Sequence, residues 1–435
     1  MTNLKERNNT AILDIGKTHI KLILFDTINF KELAVYQTKN NILNTTPYPH
    51  YDLHSMESFI ISSLKKISKN FPIDTIFTST HGACLALIGN EKLVLPILDY
   101  EYEGPEEISE DYEKTRLSFS CTGTPRMAAG LNLAAQIYWQ NKKFSNEFGQ
   151  VDTILFWPQY WSYWLSGVMA SEISYASSHS DLWNIRENEF IDLSNYKISS
   201  KVKFPKIRPA SEILGPIKKD LAEKTGLSEK VMIYCGGHDS SLTLASAYLN
   251  YQLPITVLST GTWITVFSIK KNNDHINNQN GVMISCDCFG NKIPNFRFPG
   301  GKIFENNLKI ENKSKQKRLD ISLSDIDLIN FEDMENAKFI NNKTNKQIRF
   351  DDINYENANY LISEVLAKQT LTGLENINAD GKILISGPFI NNNNFLNMLK
   401  KNWTNSIIIE DSHLGLCNGI ASLINSRNMS FNKNT

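Results

Sequence analysis

Alternation between apolar and polar positions predicts a β-hairpin at residues 11–26, AILDIGKTHIKLILFD. Two apolar, strand-like runs flank a turn at Gly16, and on the second arm His19 and Lys21 alternate with apolar residues, as on a strand with one buried face. Asp14 lies inside the first apolar run, where a carboxylate without a partner is costly to bury. We therefore expect Asp14 to have a charge partner, which need not be part of the protein.

A second strand–turn–strand pattern occupies residues 254–269, PITVLSTGTWITVFSI. When Gly16 of the first unit is superposed on Gly261 of the second, Asp14 falls on Ser259. Two similar hairpins far apart in one chain indicate duplicated domains that face one another. A turn that exposes successive backbone N–H groups binds anions, so two such turns predict a polyphosphate held from both sides.

The other elements include both strand-like and helical patterns. Short apolar runs that end at glycine predict strands, and apolar residues at helical spacing among strong helix formers predict helices. Strands are predicted within residues 74–88, 231–235 and 382–390, and helices within 127–140, 156–167, 209–227, 238–249 and 358–377. Residues 304–350 are polar and weakly periodic, and we expect a variable surface region there.

Composition and charge exclude several classes of function. A chain of 435 residues is too long for one ordinary core, which predicts two or more domains. Its formal net charge of −1 supplies no basic field for a polynucleotide, so we expect no nucleic-acid partner. The N-terminal MTNLKERNNT has no apolar signal-peptide core, and no run of about 18 apolar residues occurs. We expect a cytoplasmic protein without a membrane partner.

The six cysteines are scattered along the chain. Cys286 and Cys288 are separated by a single residue, a spacing that fits neither a zinc knuckle nor a CxxC redox pair. We expect buried free thiols in a reducing compartment.

Four motifs follow one another along the chain: DIGKTHIKLILFD from Asp14, GGHD from Gly236, STGTW from Ser259 and SGPFINN from Ser386. In this order they resemble the first phosphate motif, the catalytic-base motif, the second phosphate motif and the adenosine loop of the FGGY family of carbohydrate kinases. The resemblance covers nearly the whole chain. GGHD, STGTW and the THGA loop are most similar to the rhamnulokinase, fuculokinase and xylulokinase branch.

The resemblance implies an α/β fold of two ribonuclease-H-like domains, as in the actin/hexokinase/Hsp70 superfamily, with a ligand cleft between them that closes over the substrates. The N-terminal domain, residues 1–245, is expected to hold the first phosphate motif, the sugar site and the catalytic aspartate. The C-terminal domain, residues 246–435, is expected to hold the second phosphate motif and the adenosine loop.

The same resemblance gives Asp14 its partner, because the aspartate of the first hairpin in this family organises Mg²⁺ on the ATP phosphates, usually through water. The alternative is that Asp14 caps a backbone or pairs with a lysine. Gly16, Lys17 and Thr18 are expected to present backbone N–H groups to the phosphates, and Lys21 to add a point charge. The family commonly has Thr or Ser at the position of Lys17.

Two further turns are implied to bind ATP through Gly261, Thr262, Gly387 and Asn391. Ser386 and Pro388 replace glycines that are common in the adenosine loop. We therefore expect a nucleotide pocket of different shape, with a less certain base preference.

Asp239 is the candidate catalytic residue. A sugar hydroxyl has a pKa far above neutrality, and a carboxylate within hydrogen-bond reach accepts its proton as the bond to phosphorus forms. Gly236 and Gly237 leave room for ligands at the start of the next helix. The alternative, that Asp239 is an N-cap of that helix, is compatible with the catalytic role.

The candidate sugar contacts are His81, His238 and Asp239, together with His179 and Asp181 in the segment SYASSHSDLWNI. His81 lies where related kinases contact the sugar. Core histidines and helix-capping Ser/Asp runs are the competing interpretations. In LDYEYEGPEE, Asp99 and Glu101 are further candidates for sugar contacts, although an acidic run of this kind more often forms a solvated surface.

The resemblance thus implies an ATP-dependent kinase that phosphorylates a hydroxyl of a ketose, either a ketopentose or a deoxyketohexose such as L-rhamnulose, L-fuculose or xylulose. ATP and Mg²⁺ are the expected cofactors. The alternative is a non-catalytic nucleotide- or sugar-binding regulator on the same scaffold, which should have lost one of the two key aspartates. A homodimer is compatible with the sequence.

Overall fold

The computed structural model describes residues 9–271, 281–308, 323–331, 337–350, 355–409 and 415–432. The chain divides into two compact units. The first comprises Met1–Leu249, Ser285–Lys292 and Leu414–Thr435, and the second comprises Asn250–Ile284 and Ile293–His413. The predicted domain boundary between residues 245 and 246 remains a prediction.

The strands among these residues are β1 Asn9–Ile15, β2 His19–Asp26, β3 Lys31–Lys39, β4 Ile42–Leu43, β5 His50–Tyr51, β6 Thr75–Thr80, β7 Leu85–Gly89, β8 Lys92–Leu93, β9 Thr153–Phe156, β10 Trp183–Asn184, β11 Glu189–Phe190, β12 Ile213–Pro216, β13 Met232–Tyr234, β14 Gly237–His238, β15 Ile255–Thr260, β16 Ile264–Ile269, β17 Val282–Cys286, β18 Lys292–Phe298, β19 Ile326–Ile329, β20 Lys338–Asn341, β21 Lys346–Gln347, β22 Lys382–Ser386 and β23 Ile407–Ile409.

The α-helices are α1 Leu53–Ser68, α2 Ser109–Glu113, α3 Phe119–Thr122, α4 Leu133–Lys143, α5 Ser145–Phe148, α6 Trp157–Ser166, α7 Ile173–Ala176, α8 Lys219–Thr225, α9 Asp239–Asn250, α10 Gly300–Asn307, α11 Tyr355–Asn376, α12 Asn393–Asn402 and α13 Gly415–Asn432. Short 3₁₀ helices span Gly104–Ile108, Leu193–Tyr196, Leu323–Asp325 and Pro388–Asn391.

The main sheet of the first unit has the strand order β12-β13-β6-β1-β2-β3. The strands β1, β2 and β3 form an antiparallel meander, whereas β6 is parallel to β1 and β13 is parallel to β6. β1 is central in this sheet and buried along most of its length. A central strand is covered on both faces, which explains why its sequence is a nearly continuous apolar run.

The sheet of the second unit has the order β17-β18-β16-β15-β22-β23, in which β18-β16-β15-β22-β23 repeat the order of β3-β2-β1-β6-β13. Here β15 and β16 form the antiparallel hairpin, and β22 is parallel to β15. The equivalence extends to single residues, because Asp14 pairs with Ser79 of β6 and Ser259 pairs with Ser386 of β22. The repeat predicted from the two hairpin sequences is therefore present in the fold.

Helices α9 and α13 cover one side of the first sheet. Their apolar residues Leu242 and Ile420 belong to one buried cluster with Ile12 and Phe77 of the sheet. The two helices approach closely at Gly419, where a Cβ atom would overlap the backbone carbonyl of Leu242. This packing fixes the start of α9, and with it Asp239, against the strand that carries Asp14.

The structure differs from the sequence predictions at two places. The helix predicted within residues 127–140 begins only at Leu133, because the Asn132 side chain accepts a hydrogen bond from Met127 N–H and holds a loop. The described parts of residues 304–350 include a small antiparallel sheet, β19-β20-β21, in which Ile326 and Phe339 are buried. The surface prediction for that region was therefore wrong for these strands.

The six cysteines are free, and all except the partly buried Cys121 are buried, as predicted. Among the described residues, no helix has both the length and the apolar character that crossing a bilayer requires.

Candidate active site

The turn of the first hairpin is held by its own backbone and by one asparagine. Gly16 N–H donates to the carbonyl of His19 at 2.9 Å. The side-chain amide of Asn40 donates to Gly16 O at 2.9 Å, and its backbone N–H donates to Thr18 O at 3.0 Å. Asn40 follows the end of β3 and belongs to no motif, so this role could not be predicted.

Asp14 is a partly buried carboxylate at the end of β1. Burial, followed by the charge of Asp239, raises the pKa of Asp14 to about 7, although the nearby charge of Lys21 opposes the shift. No group in the described residues donates a hydrogen bond to this carboxylate. The described hydrogen bonds therefore give Asp14 no capping role, and Lys21 is the lysine whose charge acts on it.

A divalent cation fits this arrangement. The carboxylates of Asp14 and Asp239 are near enough that the charge of Asp239 helps to raise the pKa of Asp14. Clusters of three or more His, Cys, Asp or Glu side chains suited to a metal do not occur in the described residues. A cation here would therefore depend on water and on oxygens of a ligand, as Mg²⁺ does in nucleotide sites.

Asp239 is the first residue of α9, and its side chain is about one-third exposed. His238 Nδ1 lies 2.8 Å from Asp239 Oδ1, and Ser240 N–H and Oγ–H donate to the same oxygen. Burial acts to raise the pKa of Asp239, but the hydrogen bond and charge of His238 outweigh it, so the pKa lies below its usual value. Asp239 is therefore ionised at neutral pH, and its described hydrogen bonds leave Oδ2 for a ligand.

A second buried carboxylate, Glu172, supports the strand that carries His238. Glu172 accepts hydrogen bonds from Ser174 N–H at 3.0 Å, Ser174 Oγ at 2.6 Å and Tyr175 N–H at 3.1 Å. Ser174 Oγ in turn lies 3.4 Å from the donating N–H of His238. A Cβ atom at Gly237 would lie 3.2 Å from Glu172 Oε2, so Gly237 allows this close approach. No motif identified Glu172 beforehand.

The predicted histidines converge on Gly82. A Cβ atom at Gly82 would lie 2.5 Å from His179 Nε2 and 2.6 Å from His238 Nε2. The rings of His179 and His238 are edge to face, with centroids 5.8 Å apart. His238 Nε2 is buried and has no hydrogen-bond partner in the described structure. An unpaired imidazole nitrogen of this kind is available to a ligand hydroxyl.

His81 is adjacent to Gly82 and is held in one tautomer. Its Nδ1 lies 2.7 Å from Gly82 O, to which it donates, and this makes Nε2 an acceptor. The Tyr51 hydroxyl lies 3.3 Å from Nε2. Burial lowers the pKa of His81 to about 4, so the ring is neutral at neutral pH. Tyr51 was not anticipated from the sequence.

Lys17 does not extend toward Asp14. Its ammonium group pairs with Asp99 and lies 3.3 Å from a carboxylate oxygen of Glu101. It also lies 4.6 Å from the ring centroid of Tyr100, which packs on His81. The backbone N–H of Lys17 remains a proposed phosphate contact, but the side chain belongs to the group of residues around His81.

Lys21, unlike Lys17, is the lysine of the first hairpin that lies beside Asp14. It is the cross-strand neighbour of Asp14 in the β1–β2 ladder, and its charge acts on the Asp14 carboxylate. Thr18 lies exposed at the tip of the same turn, with its hydroxyl 3.1 Å from His19 Nδ1. Both residues keep positions compatible with their predicted phosphate contacts.

The Asp181 carboxylate is bound by groups of the protein itself. Its carboxylate is fully buried, accepts a hydrogen bond from the Tyr112 hydroxyl at 2.6 Å and pairs with Arg116 Nε at 2.7 Å. The structure gives Asp181 an internal structural role, and we do not retain it among the proposed sugar contacts. His179, two residues earlier, does reach the histidine cluster.

The turn of the second hairpin lies against α10. Gly261 N–H donates to Trp263 O at 2.9 Å, and Lys302 N–H donates to Thr262 O at 3.2 Å. Gly301 must be glycine, because a Cβ atom there would overlap the carbonyl of Gly261. The sequence PGGK at 299–302 was the overlooked signal for this contact.

The adenosine-loop candidates lie beside this turn. Gly387 has a φ of 93°, and a Cβ atom there would overlap the carbonyl of Thr260. The Thr260 hydroxyl donates to Ser386 O at 2.6 Å, which links the loop to the hairpin. A pocket of about 860 Å³ in the second unit is lined by Gly261, Thr262, Gly301, Phe304, Glu305, Asn359, Pro388, Phe389 and Asn391–Asn394.

The repeated sheet order and the carboxylate at the first hairpin define a two-domain α/β kinase of the actin/hexokinase-like fold. Residues 10–246 match the N-terminal domain model of the FGGY family of carbohydrate kinases. Residues 252–432 match the carbohydrate kinase FGGY C-terminal domain model. The chain therefore belongs to the FGGY family of carbohydrate kinases, and the predicted family is confirmed. Both family models describe carbohydrate kinases, which is the class of enzyme predicted above.

Curated relatives and solved structures agree with this assignment. A rhamnulokinase of Bacteroides thetaiotaomicron is 24% identical over 271 residues, which are 59% of this chain and 54% of that protein. A xylulose kinase of Haemophilus influenzae is 24% identical over 138 residues, 31% of this chain and 28% of that protein. The chain thus spans about half or less of the length of the curated relatives it matches.

The crystal structure of a carbohydrate kinase from Novosphingobium aromaticivorans has a TM-score of 0.81 and 25% identity, covering 96% of this chain and 93% of that one. A ligand-bound xylulose kinase from Lactobacillus acidophilus has a TM-score of 0.77 and 15% identity, covering 97% and 89%. The second likeness shows the fold alone. The predicted fold class is confirmed.

Proposed function

We propose that the protein transfers the γ-phosphoryl group of Mg·ATP to a hydroxyl of a neutral ketose, with Asp239 as general base. The observation that carries this proposal is the proximity of two carboxylates of different character in the first unit. Asp239 is held ionised by His238, while Asp14 has a raised pKa and no hydrogen-bond donor. One is suited to accept a proton and the other to face a cation.

Asp239 acts on the sugar. The acceptor hydroxyl donates its hydrogen bond to Asp239 Oδ2, and its oxygen attacks the γ-phosphorus as the bond to the β–γ bridging oxygen breaks. The proton passes to the carboxylate, and ADP leaves. The hydrogen bonds at Oδ1 keep the carboxylate in one orientation, so little reorganisation is needed during transfer.

The histidine cluster orients the sugar. His238 Nε2 offers an unpaired nitrogen atom to a sugar hydroxyl, His81 Nε2 would take a hydroxyl in place of its 3.3 Å contact with the Tyr51 hydroxyl, and His179 lies at the same side of Gly82. Because His81 stays neutral, it accepts a hydrogen bond without adding charge beside the base. Hydrogen bonds to several hydroxyls determine which of them meets Asp239, which is how such a site selects one alcohol.

Asp14 would hold Mg²⁺ through water, and the ion would neutralise charge on the phosphate oxygens during transfer. Lys21 and the N–H groups of Gly16, Lys17 and Thr18 would bind phosphate on the first unit. On the second unit, Gly261, Thr262 and Asn391 line the pocket proposed for the nucleotide, with Gly387 beside it.

The substrate class is supported by the relatives. The rhamnulokinase and the xylulose kinase are, by their names, kinases of ketoses, and both match this chain. A ketopentose or a deoxyketohexose such as L-rhamnulose, L-fuculose or xylulose is the proposed acceptor.

A coupled assay of ADP release over a panel of ketoses, aldoses and polyols tests the proposal. We expect Mg²⁺-dependent turnover with at least one ketose, at a kcat/KM at least about tenfold above that of any aldose. Nucleotide binding without turnover on any sugar would contradict catalysis and support a regulator. Equal turnover on aldoses would contradict the ketose assignment.

A further inference from the structure

The side chain of Lys17 is fixed in the wall of the sugar site. Its ammonium group is paired with Asp99, lies 3.3 Å from Glu101 Oε2, and faces the rings of Tyr100 and Tyr51 at 4.6 and 5.6 Å. Tyr51 contacts His81 through its hydroxyl. These contacts make a continuous surface from Lys17 to His81, which we call the Lys17 wall: Lys17, Asp99, Tyr100, Tyr51 and His81.

The Lys17 wall lies on the same side as the proposed base. The charges of Lys17 and Asp239 both act on His81, and those of Asp99 and Asp239 both act on Tyr100. The backbone makes the same connection, because a Cβ atom at Gly82, the residue after His81, would lie 2.6 Å from His238 Nε2, and His238 Nδ1 lies 2.8 Å from Asp239 Oδ1. A sugar placed with its hydroxyl at Asp239 would therefore meet this wall.

Asp99 depends on Lys17 for its charge balance. The Asp99 side chain is only 11% exposed, and its Oδ1 accepts from Lys17 Nζ and from Glu101 N–H at 3.2 Å. Withdrawing Lys17 to a phosphate would leave a nearly buried carboxylate without a cation, which is unfavourable. Lys21 already supplies a cation beside Asp14. Within the first hairpin, Lys17 is thus directed toward Asp99, and Lys21 lies beside Asp14.

Resting on the function proposed above, we infer that Lys17 and Asp99 form an acceptor-sugar subsite that binds a vicinal diol of a neutral sugar. Lys17 Nζ donates to one hydroxyl oxygen, and Asp99 Oδ2, which has no hydrogen bond in the described structure, accepts from the neighbouring hydroxyl. Lys17 is therefore a specificity-determining residue of the sugar site, and Lys21 serves the phosphates.

Charge decides the class of sugar. Asp99 and Glu101 are the two carboxylates at the Lys17 ammonium group, and the charge of Asp239 acts with theirs on Tyr100 of the same wall. A sugar that carries a carboxylate or a phosphate would be repelled by this excess, whereas a neutral polyhydroxy compound meets both a donor and an acceptor. The subsite excludes aldonates and sugar phosphates.

The test compares Lys17→Met with Lys21→Met and the conservative variant Lys17→Arg. The probe is the neutral sugar with the highest kcat/KM in the panel, and KM is measured separately for this sugar and for Mg·ATP. We expect Lys17→Met to raise the KM of the sugar about 10–100-fold, with less than about a threefold change in the KM of ATP. Lys21→Met should instead raise the KM of ATP and leave the KM of the sugar little changed. Lys17→Arg should recover part of the sugar affinity that Lys17→Met loses.

Binding of a fluorescent ADP analogue with Mg²⁺ to the same variants separates failure of the inference from failure of the proposed function. If no sugar is turned over, the proposed function has failed. An unchanged affinity of Lys17→Met for the analogue would still support the inference that Lys21, and not the side chain of Lys17, serves the phosphates. An approximately tenfold weaker affinity in Lys17→Met would place Lys17 on the phosphates and overturn the inference. Faster turnover of gluconate or xylonate than of every neutral sugar would overturn the neutral-diol assignment.

Discussion

At the scale of single residues, three carboxylates of the first unit have different environments. Asp239 is held ionised by His238, Asp14 has a pKa near 7 beside it, and Glu172 has a pKa near 7 in the interior. Only the first two lie in recognisable motifs. The sequence identifies an aspartate in a turn, but the pKa of a carboxyl depends on neighbours that folding brings from distant segments.

Glu172 makes a pH-dependent contribution to stability. Burial raises its pKa from 4.5 to about 7, although the hydrogen bonds from Ser174 and Tyr175 oppose this. A carboxyl with a higher pKa in the folded state stabilises the protein fully below pH 4.5, and this contribution is lost as pH rises through about 7. Between those limits, we expect the Tm of the wild type to fall by roughly 3–8 °C relative to that of Glu172→Gln.

Differential scanning calorimetry across this pH range measures the effect. Glu187→Gln is the matched control, because Glu187 is exposed; its Tm should follow the wild-type profile. Parallel profiles for the wild type and Glu172→Gln would contradict the assigned environment of Glu172.

At the scale of elements, the hairpins and their turns were predictable, and their supports were not. The alternation at residues 11–26 and 254–269 specified both hairpins, their turns and the equivalence of Asp14 with Ser259. Asn40 and Gly301, which hold those turns, come from elements outside the hairpins. Long-range contacts of this kind leave no periodic pattern in one sequence.

Gly301 gives a direct test of the second turn. A methyl group at this position would overlap the Gly261 carbonyl, so Gly301→Ala must displace either α10 or the turn. We expect a loss of about 1–3 kcal/mol in the free energy of unfolding and a KM for ATP raised about tenfold, with the KM of the sugar little changed.

Chemical denaturation and steady-state kinetics measure these two quantities. Gly215→Ala is the control, because its Cβ atom would lie at an ordinary distance of 3.7 Å from Val168 Cγ2. Wild-type KM for ATP in Gly301→Ala would show that the turn does not contact the nucleotide.

At the scale of the whole molecule, five strands have the same order in the sheets of both units, and the family models match both halves of the chain. Four motifs in order were enough to predict the fold class and the family. The sugar side was less predictable, because His81, His179, His238 and the Lys17 wall come from several separate segments of the first unit. Asp181 was expected at the sugar, but its partner Arg116 could not be inferred from local sequence.

The central claim is that Asp239 accepts the proton of the sugar hydroxyl, and Asp239→Asn tests it most directly. The variant keeps the shape of the side chain but removes the base, so single-turnover phosphoryl transfer should slow by about 10²–10⁴-fold. The affinity for a fluorescent ADP analogue, measured in parallel, should stay within about twofold of the wild type. A transfer rate close to that of the wild type would contradict the account.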